Sequence, residues 1–499
     1  MTTAGTGWRS RERRALLLLL LASAAVRIAL VLGGGQSFFP DEGRFGRSIL
    51  MLLRLREGDI AAAAEMGLDP EHTGWVHVGA APALAQGLYL VWRGAPLESR
   101  ASWTRTLWVP ALFLSLVSVA LIGLVHALAR RMGAPPDEAL LAALLAACST
   151  SLFYPARHLQ PYDAALALAL AALWLALSPA PRLATSLGCG LLAGASFLTY
   201  NGSWMLAGGV VAVAAGRAGS WWARARRAVA LGIGAASPVG LVVALDRLLL
   251  EGAYIREARS FARTVTQGAF TEGWRLPWEY LWEAEKALLA GLLAALALAV
   301  HRLARCGDPG ERARGGLWVG AVLGIYAALA VSSTLLQTFT VYGRLVRPLI
   351  PFLCLAAAWA LAPRLRRGSP AARAALGAML LAHAGAQFAA PLRLVFPDEA
   401  QRQVAARFGP MAERASVLGP PAPPRPPGAP PGTWLLNATY LYPLLGPAEE
   451  VPTGDVLWRT AHPFQYRPYQ FEGFTPAERS LLREIDVSVR VVREAVEER

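Results

Sequence analysis

Apolar runs of about 18 residues or more recur along most of this chain, the length that crosses a ~30 Å hydrocarbon slab as a helix. Within a bilayer every backbone N–H and C=O must be satisfied inside the segment, so such runs have to be helical. They fall at 15–32, 106–129, 138–155, 162–180, 183–199, 202–216, 228–250, 286–303, 316–336, 346–362 and 371–391. The expected fold is therefore an α-helical polytopic membrane protein with about eleven transmembrane helices. Composition agrees: of the 499 residues 55% are hydrophobic and only 16% charged, with a mean hydropathy of +0.38. The first run follows Arg9, Arg11, Arg13 and Arg14 and has no small-residue cleavage motif after it, so it reads as an anchor and not a removable signal.

The net charge of +14 is carried almost entirely by arginine, since Lys286 is the only lysine. Nucleic-acid binding would need a soluble basic face, which the chain lacks. Its arginines instead sit in short links between apolar runs, at 9–14, 130–131, 217–227, 302–314 and 364–367. Basic links stay on the cytoplasmic side, which puts the N-terminus inside and the C-terminus outside. One stretch tests this scheme. Residues 77–92 are apolar but short and contain Pro82; a crossing there would flip every later basic link. It is read as a juxtamembrane or re-entrant segment of a large first external loop, 33–105.

Residues 1–391 form the transmembrane part, and 392–432 form a linker whose Pro-rich core, PPAPPRPPGAPPG, is stiff and extended. Residues 433–499 are expected to form a small external α/β appendage. WLLNATYLY, DVLWR and VSVRVV have strand character, and Thr475-Pro476-Ala477-Glu478 is a capping box that should start a helix. Cys148, Cys189, Cys306 and Cys354 show no CxxC or metal-like spacing, which argues against a disulfide framework or a Cys-held metal.

Four groups of polar residues carry possible chemistry. Asp41 and Glu42 follow FFP directly after the first run. A carboxylate there can take a proton from a hydroxyl or hold a divalent cation, and the same pair could cap the helix that follows. Arg157, His158 and Asp163 lie in the link before the fourth run, where the acid also suits a helix N-terminus. Tyr342, Arg344 and Arg347 open the tenth run in YGRLVRPLIP; arginines there either snorkel to headgroups or fork onto a phosphate. Arg256 and Arg259, at helical spacing, suit an interfacial basic stripe. The topology sets Asp41, Glu42, His158 and Asp163 on one side of the membrane at similar depth.

FFPDEGRF behind the first run, the Arg157-x5-Asp163 link and Arg344-x3-Pro348-x2-Pro351 together resemble the GT-C membrane glycosyltransferases. The nearest groups are the family 39 protein O-mannosyltransferase-like enzymes and the lipid A aminoarabinose transferases, and the resemblance covers roughly residues 10–390. It implies a GT-C fold and a single sugar on a polyprenyl phosphate donor, moved to an acceptor on the outer face of a bacterial inner membrane by an inverting transfer. The acceptor is a glycan, lipid or protein of unspecified identity. By that resemblance Asp41 is the base, Glu42 its partner, and Asp163 a site former that with Asp41 could hold a divalent cation. Arg344 would bind the donor phosphate, with Arg347, Arg256 and Arg259 as further cationic candidates and Arg157, His158, His77 and Tyr342 lining the site. His77-Val78-Gly79-Ala80-Ala81-Pro82 departs from the Lys/His-Pro-Pro motif common at that point in the family. A transporter or flippase for lipid-linked or small solutes is the alternative; it would place ionisable residues near the midplane and often shows an inverted repeat.

Overall fold

A computed structural model describes residues 4–36, 45–68, 75–97, 100–179, 182–216, 220–256, 259, 273–337 and 341–394, with five short stretches of the C-terminal part (416–418, 434–439, 456–463, 467–471 and 486–493). The helices are α1 (Ala4–Leu32), α2 (Phe45–Glu57), α3 (Ile60–Gly67), α4 (Trp75–Trp92), α5 (Arg100–Arg105), α6 (Trp108–Arg131), α7 (Pro136–Cys148), α8 (Tyr162–Ala176) and α9 (Leu183–Thr199). They continue as α10 (Trp204–Gly216), α11 (Trp221–Leu249), α12 (Leu276–Glu285), α13 (Ala287–Arg305), α14 (Pro309–Ala330), α15 (Gly343–Val346), α16 (Leu349–Arg367) and α17 (Pro370–Arg393).

The chain is a multi-pass helical membrane protein. Among the described residues seven helical stretches are long and apolar enough to cross a bilayer, or eight if α7 and the bent turns after it form one broken span. The seven match seven of the eleven predicted runs, in α1, α6, α11, α13, α14, α15–α16 and α17. The other four runs became α7 to α10, each 17 residues or fewer, shorter than the usual span of about 20 residues. Leu17, Leu18, Leu21, Trp221, Trp222, Leu241, Leu248, Met379 and Leu381 are exposed. So large an apolar surface needs a lipid surround.

α16 is the centre: every residue from Leu349 to Ala360 is buried. Around it the helices pack closely where small residues allow. A Cβ on Gly190 or Gly194 of α9 would lie 2.3 Å from the carbonyl oxygens of Leu231 and Ala235 on α11, and one on Gly234 would lie 2.3 Å from that of Leu187. This close approach is what holds membrane helices together when no hydrophobic difference separates helix from lipid.

The two ends of the bundle are built differently. One end gathers the basic links and is joined by ion pairs. Glu12 meets His126 at 3.1 Å and Arg130 at 2.9 Å, Arg314 meets Glu138 at 3.2 Å, and Arg366 meets Asp137 at 3.3 Å. Three helices starting here carry side-chain caps: Ser220, Asp308 and Ser369 each accept from the backbone N–H three residues on, and Pro309 and Pro370 fix the first helical φ. The opposite end is rich in hydroxyls and aromatic rings, and its carboxylates include the buried Asp163, Asp246 and Glu285.

α4 belongs to that opposite end. Its Ala83 and Leu90 share a small core with Val31 at the end of α1, Phe45 and Ile49 of α2, Ala111 and Leu114 near the start of α6, and Leu159. The buried Gln86 side chain donates to the Trp103 carbonyl (2.8 Å) and to the Thr106 hydroxyl (2.7 Å). Such packing against one end suits a segment that does not cross. Accordingly, Ala95→Cys in a Cys306→Ser background is expected to react with an impermeant maleimide only from the face opposite the basic links. Labelling from the cytoplasmic face alone would sink this reading.

In the C-terminal part, β1 (Ser416–Leu418), β2 (Trp434–Thr439), β3 (Val456–Pro463) and β4 (Asp486–Arg493) make a sheet of order β1-β2-β4-β3. β1 runs parallel to β2, and β4 is antiparallel to both neighbours, with Leu436 opposite Val491 and Thr460 opposite Val489. β2, β3 and β4 fall on the three stretches read as strands, whereas β1 lies inside the segment assigned to the linker. The Pro-rich core and the capping box at Thr475 lie outside the described residues.

Candidate functional site

The site forms where the run 138–155 fails to continue as a helix. α7 stops at Cys148, Ser149 is extended (ψ 122°), and two 3₁₀ turns, Thr150–Leu152 and Tyr154–Arg157, leave at 74° to α7. Ser149-Thr150-Ser151 competes with the helix ladder for hydrogen bonds, and Pro155 removes a donor. A buried acid from α12 holds the break. Glu285, fully buried, accepts from Ser149 Oγ (2.5 Å), Thr150 N (2.9 Å), Ser151 N (2.8 Å) and Ser151 Oγ. Four donors converging on one carboxylate fix the first turn.

Beyond the turns, Pro161 leads into α8 and sets Asp163 in its first turn, where the helix dipole favours a carboxylate. Asp163 is buried and lies 3.8 Å from Nη1 of the buried Arg347. Arg344 donates to the Tyr162 hydroxyl at 2.7 Å, and its guanidinium sits over the Tyr162 and Tyr342 rings, 5.5 and 4.9 Å from their centroids. Arg347 sits over Tyr154 and Tyr162, at 5.8 and 5.3 Å. Aromatic faces attract cations and fix the plane of the guanidinium fork. Tyr162 also meets Tyr200 edge-on at 4.6 Å. The outcome is two arginines and one carboxylate in an aromatic wall, an arrangement able to grip a phosphate or carboxylate group.

Of the residues predicted from sequence, Asp163, Arg344, Arg347, Tyr342 and His158 therefore share one end of the bundle. Arg157 stands at the same place with a structural task. Fully buried, it donates through Nε and Nη2 to the Leu30 carbonyl (3.2 and 2.8 Å) and through Nη1 to the Pro391 carbonyl (2.9 Å), tying α1 to α17. A Cβ at Gly33 would lie 2.7 Å from Arg157 Nη2, so that glycine permits the approach. Arg27 does similar work from within α1, donating to Ser118 Oγ and the Leu152 carbonyl, each at 3.0 Å.

Arg256 and Arg259 are exposed, and no described contact joins them to the Asp163 cluster. Arg256 donates to the Glu251 carbonyl at 2.9 Å, in a turn capped by the buried Asp246, which accepts from Tyr254 N (2.9 Å) and Ile255 N (3.3 Å). Asp41 and Glu42 lie outside the described residues, and His77 is on α4 with its side chain likewise outside them. The described chain on either side of the acidic pair, at Val31 and Phe45, packs against Leu159, the residue after His158. Among the described residues no three His, Cys, Asp or Glu side chains converge on a metal-sized space.

Glu285, Tyr154, Tyr280 and a turn of the distant tail went unread in the sequence. Tyr154 and Tyr280 share a hydrogen bond between hydroxyls at 2.9 Å. The tail turn, Arg467–Phe471, reaches the same place. Tyr469, fully buried, bonds His158 Nε2 through its hydroxyl at 2.7 Å and meets the Tyr154 and His158 rings edge-on at 5.0 and 5.2 Å. Phe471 lies 6.1 Å from the Tyr280 ring, and a Cβ on Gly343 would meet both that ring (2.7 Å) and the Phe471 carbonyl oxygen (3.2 Å). Arg467 pairs with Glu283 of α12 at 2.9 Å. Burial opposes ionisation of Glu283, yet hydrogen bonds from Lys286 and Arg467 outweigh it and hold its carboxyl below the usual range. The only available signal was the density of aromatic and proline residues in PFQYRPYQF, within a polar stretch. No family model and no curated protein matches the chain.

Proposed function

We propose that the chain is a glycosyltransferase of GT-C type, moving one sugar from a polyprenyl phosphate donor to an acceptor hydroxyl on the outer face of the bacterial inner membrane. The observation that carries this reading is the buried Asp163–Arg347 pair with Arg344 beside it, at the end of the bundle opposite the basic links. Nucleotide sugars are absent outside the inner membrane, so a donor used there has to be lipid-linked. Its leaving group is a phosphate monoester, which arginine forks bind best.

In the proposed reaction the acceptor oxygen attacks the anomeric carbon as its proton passes to Asp41. The bond from that carbon to the phosphate oxygen breaks, and polyprenyl phosphate departs against Arg344 and Arg347 with inversion. Glu42 supports Asp41, and Asp163 orients Arg347. A divalent cation held by Asp41 and Asp163 would supply further charge stabilisation. Asp41→Asn is expected to lower transfer by roughly 10²–10⁴-fold, the usual worth of a general base, while expression and folding stay normal. The measurement is turnover of polyprenyl phosphate sugars in membranes, alongside mass spectrometry of envelope glycans with and without the protein. Unchanged turnover would refute the role given to Asp41.

The 74° break after α7 favours a second reading, a transporter or flippase, since such proteins build their sites at broken spans. Under that reading a lipid-linked sugar would move between leaflets with no bond broken, and Asp41→Asn would leave the donor chemically intact as before.

A further inference from the structure

We infer that the Arg467–Phe471 turn is a built-in part of the site, with Tyr469 as a positioning residue that fixes His158 and shields it from water. The docking stands on geometry alone; the positioning role rests on the function proposed above.

Three unlike contacts, all from one five-residue turn, seat it. An ion pair joins Arg467 to Glu283, a hydrogen bond joins Tyr469 to His158, and ring packing joins Phe471 to Tyr280. Together they reach two pieces of the membrane bundle: α12 takes the first and third, and the link before α8 takes the second. Gly343, at the start of α15, is held free of a side chain where the Tyr280 ring and the Phe471 carbonyl pass it. A tail merely lying on the surface would leave Tyr469 wet, yet it is fully buried, and His158 is 1% exposed.

The turn is also continuous with the charged cluster. Tyr469 meets Tyr154 edge-on, Arg347 sits over the Tyr154 ring, and Arg347 pairs with Asp163. A hydroxyl bonded to Nε2 fixes the orientation of the imidazole ring. Excluding water at such a site favours transfer to an acceptor hydroxyl over hydrolysis of the donor.

The test uses the full chain in native membranes. Arg467→Cys combined with Glu283→Cys should give an intramolecular product with a short thiol-to-thiol crosslinker, which neither single variant gives. No product would overturn the docking. Next, His158 modification by diethylpyrocarbonate, mapped by mass spectrometry, should rise at least tenfold in Tyr469→Ala and return near the parent level in Tyr469→Phe, which keeps the ring. Equal reactivity in all three would overturn the shield. Finally, Tyr469→Phe, which loses only the hydroxyl, should move the pH profile of sugar transfer, and Tyr469→Ala, which loses the ring, should raise the share of free sugar released. An unmoved profile and product ratio would overturn the positioning role. Should the parent protein transfer no sugar, the function proposed above fails, while crosslinking and modification still decide whether the turn is docked and shields His158.

Discussion

Glu285→Ala is expected to unfold the site end of the bundle, lowering stability by about 3–5 kcal/mol, the usual result of removing one partner from a buried charged network. The carboxylate takes two backbone N–H groups and two hydroxyls from Ser149, Thr150 and Ser151, and nothing else described accepts from those N–H groups. Alanine would strand them in a buried space, at about 1–3 kcal/mol for each unsatisfied group that water cannot reach. Glu285→Gln should be intermediate, because the amide keeps one acceptor and turns its NH₂ toward donors. Thermal unfolding of the detergent-solubilised protein, followed by size-exclusion chromatography, measures both. Equal melting temperatures for parent and Glu285→Ala would show that the break after α7 is held by something else.

The second large effect lies between α9 and α11. Gly194→Ala places a Cβ 2.3 Å from the Ala235 carbonyl oxygen and 2.8 Å from the Pro238 ring, so the two backbones must separate. Alanine gains about 1 kcal/mol of helix propensity over glycine, but overpacking costs about 1–3 kcal/mol. Loss of the close backbone contact that membrane helices depend on adds to that cost. A net destabilisation of about 2 kcal/mol is expected. Gly208→Ala on α10 is the control, since a Cβ there meets nothing within 4 Å; it should keep or slightly raise the melting temperature. Equal behaviour of the two variants would contradict the close packing of α9 on α11.

These two sites mark where reading the sequence reaches its limit. Periodicity and length are local, so the long spans were legible, as were three of the strands, of which VSVRVV alternates. The grouping of Asp163, His158, Arg344 and Arg347 was legible too, because the basic links order the chain and place both links at one end. Arg157 shows the limit of that logic: its position was right, but whether a guanidinium faces a ligand or the Leu30 and Pro391 carbonyls depends on contacts 127 and 234 residues away. The same holds for Glu285, more than 130 residues from the serines it binds. The run 138–155 read as one span because hydropathy averages over Ser149-Thr150-Ser151, whereas the backbone bends there. Arg256 and Arg259 showed helical spacing, which fixes a face of a helix but not what that face meets.

The bond between His158 and Tyr469 joins residues 311 positions apart, and that separation sets an order of events. A ribosome adding about 5–20 residues per second needs roughly 15–60 seconds to make the chain between them. Throughout that interval the imidazole and the Tyr154 ring, joined partway by the Tyr280 ring, wait without the turn that covers them. The described spans are laid into the bilayer first, and the cover is synthesised after them. A nascent chain thus passes through a stage with a complete membrane bundle and an open site, and truncated products, however well inserted, would stay at that stage.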